Sequence, residues 1–144
     1  FCLSRGLGDV YKRQRVESDG RMSITTGYSS QLNIGSGVYF NDGAVISCLG
    51  KIDIGENTLF GPGVKIFDNN HRFNREEGVS RECTAGCITV GRSCWIASDV
   101  VLLKGTDIGD NCVIGAGCVI RGKVPAGSLV TRSGEQTTRP IETR

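Results

Sequence analysis

The chain has 144 residues and a single histidine, His71, which is the side chain best suited to acid–base chemistry. Imidazole accepts and releases a proton near neutral pH, so His71 is a candidate general base. In its local sequence, IFDNNHRF, it can equally be a solvated loop residue. Asp68, three residues earlier, either accepts the other ring proton of His71 or bonds nearby backbone as a turn former, and both roles remain open.

The elements that position these residues are predicted to be strands. Ile and Val number 25 against 8 Leu, and 21 residues are Gly, a balance that favours short strands and turns. The longest apolar run, Val100 to Leu103, is far shorter than the roughly 20 residues of a membrane helix, so we expect no transmembrane segment. Seventeen basic and fifteen acidic residues without a basic run give no indication of nucleic-acid binding.

A repeat of six residues organises most of the chain. Aliphatic or aromatic residues recur at this spacing in three blocks, which are Ile34, Phe40, Ile46; Ile54, Phe60, Ile66; and Val90, Ile96, Leu102, Ile108, Ile114, Ile120. Six residues advance an α-helix by about 600°, which would scatter these side chains, whereas a repeated strand and turn keeps them on one inner face. The spacing from Ile46 to Ile54 is eight, so two extra residues fall near Leu49.

Two further positions of the repeat support this interpretation. Glycine often follows the aliphatic residue, where we expect it to permit turn geometry; these glycines are Gly35, Gly55, Gly61, Gly91, Gly109 and Gly115. Small or β-branched residues lie four positions after it, among them Cys94, Cys112 and Cys118. We expect these side chains to be tucked inward at tight corners.

This pattern resembles the hexapeptide-repeat acyltransferase superfamily. The resemblance implies an all-β fold, a left-handed parallel β-helix with three six-residue sides per coil. We expect the β-helix domain to span residues 16–131, with a charged loop protruding at about 72–89. Residues 132–144 would form a tail that turns back or caps the open end, and residues 1–15, which show no period, would be a non-native or disordered leader.

Two segments are similar to the small sugar O-acetyltransferases, including the galactoside, maltose and capsular polysaccharide enzymes. They are GPGVKIFDNNHRFN and ITVGRSCWIASDVVLLKGT. The resemblance implies that His71 is the general base for direct transfer of an acetyl group from acetyl-CoA to a sugar hydroxyl. It also implies an acceptor pocket containing Asn41 and Asp68. Many relatives have a histidine where this chain has Asn69.

The resemblance also implies a binding site for acetyl-CoA. Trp95, Ala97 and Ser98 would flank the pantetheine arm or the thioester, and Gly115 and Ala116 would allow close backbone approach. The nucleotide phosphates would be met by Arg121, Lys123 and Arg132. Such proteins form homotrimers, in which His71 of one subunit faces a coenzyme groove shared with its neighbour.

The sequence has seven cysteines, an odd number, and shows neither a glycosylation acceptor nor a cleavable leader. These features favour free thiols and a cytoplasmic location. Cys83, Cys87 and Cys94 with His71 match zinc-ligand types, but Cys94 occupies an inward position of the repeat, so we expect no metal. The alternatives are an N-acetyltransferase acting on an amino sugar or another small acceptor, and a non-catalytic hexapeptide assembly subunit.

Overall fold

The computed structural model describes residues 2–4, 9–12, 16–133 and 135–140, and every regular element in these ranges is a strand. The strands are β1 (Cys2–Ser4), β2 (Asp9–Lys12), β3 (Glu17–Ser18), β4 (Met22–Thr26), β5 (Gln31–Ile34), β6 (Tyr39–Phe40), β7 (Ala44–Cys48), β8 (Lys51–Ile54), β9 (Leu59–Phe60), β10 (Lys65–Phe67), β11 (Asn69–Asn74), β12 (Gly78–Ala85), β13 (Cys87–Val90), β14 (Trp95–Ile96), β15 (Val101–Leu103), β16 (Asp107–Ile108), β17 (Val113–Ile114), β18 (Val119–Ile120), β19 (Lys123–Val124), β20 (Ser128–Ser133) and β21 (Glu135–Pro140). No helix in this part of the chain is long and apolar enough to cross a membrane.

Three sheets form the sides of a triangular prism. Face 1 has the order β1-β4-β7-β10-β15-β18, face 2 has β2-β5-β8-β13-β16-β19, and face 3 has β3-β6-β9-β14-β17-β20-β21. The chain visits faces 1, 2 and 3 in turn, and each strand pairs in parallel with the strand one coil away, except that β21 pairs with β20 antiparallel. The predicted left-handed parallel β-helix is confirmed.

The six-residue repeat forms the core. All twelve repeat positions predicted from the sequence are at most 4% exposed, and Phe40 and Phe60 stack with their ring centroids 4.5 Å apart. The small corner residues, including Cys94, Cys112 and Cys118, are buried as predicted. The repeat therefore reports burial correctly because each coil places the same positions toward the axis.

The glycines after the aliphatic positions have a different reason from the one predicted. Gly35 and Gly61 do not adopt the left-handed conformation. A Cβ on Gly61 would lie 2.7 Å from the backbone nitrogen of Ser98 on the next coil, so glycine is required by close stacking. The left-handed residues lie two positions later, as at Gly63 and Asn57.

A β-hairpin interrupts the solenoid at the edge between faces 1 and 2. β11 and β12 pair antiparallel, with an irregular register between His71 and Phe73. The protruding segment therefore begins with β11 at Asn69, three residues before the predicted start at 72, and His71 lies inside it. The solenoid resumes with β13 at Cys87, three residues before the predicted Val90.

Strands also occur at both ends of the chain. β1 and β2, within the predicted leader, pair in parallel with β4 and β5. In the tail, β21 turns back and becomes the last strand of face 3, which covers the edge that β20 would otherwise present. The assignment of residues 1–15 to a non-native leader stays a prediction, as do the domain boundaries.

Candidate active site

His71 lies beside an open groove formed by the hairpin. The groove has a volume of about 830 Å³, and its lining includes His71, Ser80, Glu82, Thr84 and Lys104. Lys104 follows β15 on the next coil, and its Nζ donates a hydrogen bond to Thr84 Oγ1 at 2.7 Å. This bond fixes the base of the hairpin to the solenoid.

One ring nitrogen of His71 is held by the hairpin backbone. Its Nδ1 lies 3.1 Å from the carbonyl oxygen of Ser80. Because a carbonyl oxygen only accepts hydrogen bonds, the proton of the neutral ring lies on Nδ1, and Nε2 keeps its lone pair. Among the described residues none bonds to Nε2, and the side chain is exposed. This arrangement leaves Nε2 able to accept a proton.

Asp68 joins two coils. Its buried carboxylate accepts hydrogen bonds from the backbone N–H groups of Leu49 and Gly50, each at 2.8 Å. The carboxylate also accepts a hydrogen bond from Asn69 Nδ2 at 3.1 Å. Asp68 therefore bonds to backbone of the preceding coil and not to its own turn, while the Nδ1 of His71 is held by Ser80. The place of Asp68 in an acceptor pocket stays a prediction.

Five of the predicted site residues lie along one edge of the prism, between faces 3 and 1. Successive coils place Asn41, Gly61, Ala97 and Gly115 above one another. The backbone N–H of Asn41 donates to the carbonyl of Phe60, that of Gly61 to Ile96, and that of Ala97 to Ile114. Ser98 and Ala116 follow at the same corner. Asn41 Oδ1 accepts a hydrogen bond from the Asp42 amide at 2.8 Å, so this side chain also closes its own turn.

The predicted phosphate-binding residues are divided between two edges. Arg132 lies near the edge between faces 3 and 1, since a Cβ on Gly117 would come within 3.7 Å of its Nη1. Arg121 follows β18 at the edge between faces 1 and 2, and Lys123 begins β19 on face 2. Arg121 and Lys123 therefore share the edge of His71, and Arg132 shares the edge of Ser98.

The side chains that point outward from faces 1 and 3 are largely apolar. In register on face 3 lie Tyr39, Leu59, Trp95, Val113 and Leu129. Trp95 is 54% exposed and Leu59 48%. On face 1 the matching column is Ser23, Val45, Lys65, Val101 and Val119, in which the three valines are apolar. Face 2 presents a polar column, Asn33, Asp53, Thr89, Asp107 and Lys123.

The cysteines of the described side chains are free thiols, four of them buried and two exposed. Burial and the nearby carboxylate of Asp68 raise the pKa of Cys48 to about 12. Burial also raises the pKa of Cys94 and of Cys118. No group of three His, Cys, Asp or Glu side chains in the described part of the chain could hold a metal ion.

Sequence reasoning missed the groups that surround His71. Ser80 acts through its carbonyl oxygen, which every residue type possesses, so no sequence signal could have identified it. Cys83, whose Sγ lies 3.6 Å from His71 Nδ1, was considered only as a metal ligand. Lys104 is an ordinary corner residue until the hairpin is folded against it.

The fold and the repeats define a class of protein, the hexapeptide-repeat transferases. The family model for the bacterial transferase hexapeptide, with six repeats, matches residues 87–122. Nodulation protein L of Rhizobium meliloti is 31% identical over 131 residues, which cover 91% of this chain and 69% of that protein. The chain belongs to the hexapeptide-repeat transferase family.

Two other relatives are informative. Galactoside O-acetyltransferase of Escherichia coli is 36% identical over 98 residues, covering 68% of this chain and 48% of that enzyme. The chain thus spans about half the length of this relative. A hexapeptide-repeat acetyltransferase of Vibrio cholerae, solved in complex with acetyl coenzyme A, superposes with a TM-score of 0.72 at 20% identity, covering 94% of this chain and 72% of that one. This likeness shows the shared fold.

Proposed function

We propose that the chain transfers an acetyl group from acetyl-CoA to a hydroxyl of a sugar or polysaccharide precursor, with His71 as general base. The observation that carries the proposal is the bond between His71 Nδ1 and Ser80, which leaves an unprotonated Nε2 at the hairpin groove. The names of two relatives, a galactoside O-acetyltransferase and an acetyltransferase bound to acetyl coenzyme A, support the reaction class.

The proposed reaction is a direct transfer in a ternary complex. Nε2 takes the proton of the acceptor hydroxyl while the oxygen attacks the thioester carbonyl carbon. The tetrahedral intermediate then expels the coenzyme A thiolate, which takes the proton back from Nε2. Ser98 or an adjacent backbone amide would stabilise the oxyanion, and Trp95, Ala97, Gly115 and Ala116 would line the pantetheine arm. Arg121, Lys123 and Arg132 would meet the phosphates.

A second copy of the chain is part of the proposal. The hairpin with His71 leaves the edge between faces 1 and 2, whereas Trp95 lies on face 3, which is the opposite side of a triangular prism. The exposed apolar columns on faces 1 and 3 suit self-association, because monomers rarely expose contiguous apolar patches. We propose a homotrimer in which the hairpin of one subunit meets face 3 of the next. The free thiols of the described side chains are compatible with the proposed cytoplasmic location.

The decisive experiment incubates the protein with acetyl-CoA and a panel of sugars, amino sugars and oligosaccharides. Since Cys83 and Cys87 are exposed thiols, coenzyme A release is followed by chromatography, and acetylated products by mass spectrometry. His71→Ala should lower kcat by about 10²- to 10⁴-fold, the usual contribution of a general base. Arg75→Ala, at the hairpin tip, is the matched control. Wild-type kcat/KM in His71→Ala would exclude the mechanism, and acetylation only at amines would favour the N-acetyltransferase.

A charge on face 3 tests the trimer. Leu59→Arg introduces a cation into the apolar column and should yield monomers with strongly reduced turnover. Thr89→Arg places the same charge on polar face 2 and should leave both the assembly and the activity intact. Sedimentation equilibrium measures the assembly state. A wild-type monomer that is fully active, or an unaffected Leu59→Arg trimer, would contradict this part of the proposal.

A further inference from the structure

The Nδ1 of His71 has two neighbours, both from β12. The Ser80 carbonyl oxygen lies at 3.1 Å and the sulfur of Cys83 at 3.6 Å. The carbonyl oxygen requires a proton on Nδ1, so the sulfur faces an N–H group and acts as an acceptor. The thiol proton of Cys83 has its own acceptor, the carbonyl oxygen of Arg81 at 4.0 Å. The hydrogen bonds can therefore run in one direction: the imidazole N–H donates to the sulfur, and the thiol S–H donates to the backbone carbonyl.

We propose that Cys83 is a positioning residue for His71. Its sulfur is the second acceptor for the Nδ1 proton and stabilises the tautomer that leaves Nε2 unprotonated. Packing does not explain a cysteine here, because Cys83 is exposed, whereas Cys94, Cys112 and Cys118 fill buried corners. The consequence for catalysis rests on the proposed function; the effect on the tautomer does not.

Four charged groups of the hairpin and its base have partners other than His71. Arg72 pairs with Glu82, with 3.3 Å between Nη1 and Oε2. Glu77 accepts a hydrogen bond from Asn74, and Lys104 donates to Thr84. Within the described part of the chain, the groups bonded to Nδ1 are the Ser80 carbonyl and the Cys83 sulfur, so replacing Cys83 isolates the contribution of the sulfur.

The single histidine makes the test direct. Protein labelled with ¹⁵N at histidine gives two ring-nitrogen resonances, whose positions report the fraction of each neutral tautomer. We compare wild type with Cys83→Ala, Cys83→Ser and, as a matched exposed control, Cys87→Ala. Losing one weak hydrogen bond should raise the ratio of the Nε2–H to the Nδ1–H tautomer by about two- to threefold in Cys83→Ala. Cys83→Ser should restore the wild-type ratio, since a hydroxyl oxygen also accepts, and Cys87→Ala should match wild type.

Amide resonances of Phe73 and Val79, which pair across the hairpin, report whether each variant keeps the hairpin. An unchanged tautomer ratio in Cys83→Ala with an intact hairpin would overturn the inference, whatever the activity. If instead Cys83→Ala melts the hairpin, Cys83→Ser decides: an intact hairpin with the wild-type ratio supports the role, and an altered ratio overturns it.

Kinetics separate this inference from the proposed function. With His71 as base, Cys83→Ala should lower kcat in proportion to its measured loss of the Nδ1–H tautomer, while KM for acetyl-CoA stays constant, and Cys83→Ser should recover kcat. A measured loss of the Nδ1–H fraction without the matching fall in kcat would support the role of Cys83 and count against His71 as the base. An unchanged tautomer ratio in Cys83→Ala, together with a fully inactive His71→Ala, would count against the role of Cys83 and support His71 as the base.

Discussion

The carboxylate of Asp68 accepts a hydrogen bond from the backbone N–H of Gly50, 2.8 Å away on the preceding coil. The same corner binds the other end of the hairpin, because the Lys51 amide donates to the carbonyl of Gly86 at 3.0 Å. The two extra residues that break the repeat near Leu49 therefore lie beneath the base of the hairpin. This irregular corner anchors the segment that carries His71.

Removing the Asp68 carboxylate should destabilise the protein. Asp68→Ala leaves the amides of Leu49 and Gly50 without acceptors, and we expect the free energy of unfolding to fall by about 3 kcal/mol. Asp68→Asn keeps one acceptor oxygen and should cost about half as much. Asp53→Asn, at a half-exposed position of face 2, is the control: it removes the ion pair with Lys51, keeps an acceptor oxygen for Asn33, and should cost about 1 kcal/mol or less. Urea denaturation measures all three, and equal effects of Asp68→Ala and Asp53→Asn would contradict the anchoring role.

Stacking between coils predicts different costs for two glycine replacements. Gly61→Ala places a methyl group 2.7 Å from the backbone nitrogen of Ser98, and backbone cannot move aside cheaply, so we expect a loss of about 2 kcal/mol or more. Gly122 has φ +81° with no atom within 4 Å of an added Cβ, so Gly122→Ala pays only the backbone strain, about 1 kcal/mol. Thermal unfolding gives the order, and a larger cost at Gly122 would refute the stacking argument.

The bond from Lys104 to Thr84 should govern opening of the hairpin. Lys104→Met and Thr84→Val each remove the 2.7 Å contact, and we expect amide hydrogen exchange of β11 and β12 to accelerate by about three- to fivefold. Exchange in β14 and β17 should not change, because these strands lie in the solenoid. Thr84→Val also removes the hydrogen bond from Thr84 Oγ1 to the Asn70 carbonyl at 3.3 Å. The effect of the double variant should still fall short of the sum of the two single effects, since both variants lose the 2.7 Å bond. Additive effects would show that the two side chains act separately.

The raised pKa of Cys48 predicts a loss of stability at alkaline pH. The unfolded thiol ionises near its ordinary pKa of 9.0, whereas the folded thiol keeps its proton to about pH 12. Between these pH values the folded state binds more protons than the unfolded state. The contribution of the Cys48 thiol to the free energy of unfolding is therefore complete below pH 9 and is lost as the pH rises toward 12. Cys48→Ala should show a shallower decline between pH 8.5 and 10.5 in urea denaturation. The exposed variant Cys87→Ala serves as control, and parallel slopes for Cys48→Ala and wild type would exclude this role of Cys48.

Much of the candidate site depends on contacts that no short segment specifies. The repeat correctly predicted the inward positions of Ile96 and Cys112 because every coil places the same positions toward the axis. It did not predict the register of β11 against β12, where an irregularity places the Ser80 carbonyl beside His71. Nor could it show that Asp68 bonds to Gly50, since those residues meet only when two coils stack.

The amino-acid sequence alone determined the solenoid, its buried repeat positions and the place where the repeat breaks. These features follow from hydrophobic spacing, which is local and recurs with every coil. The tertiary structure decided which groups meet at that break: Ser80 and Cys83 at the Nδ1 of His71, and Lys104 at the hairpin base. It also placed His71 and Trp95 on different sides of the prism. Such relationships arise from stacking and strand pairing between residues distant along the chain, so they cannot be predicted from composition or spacing.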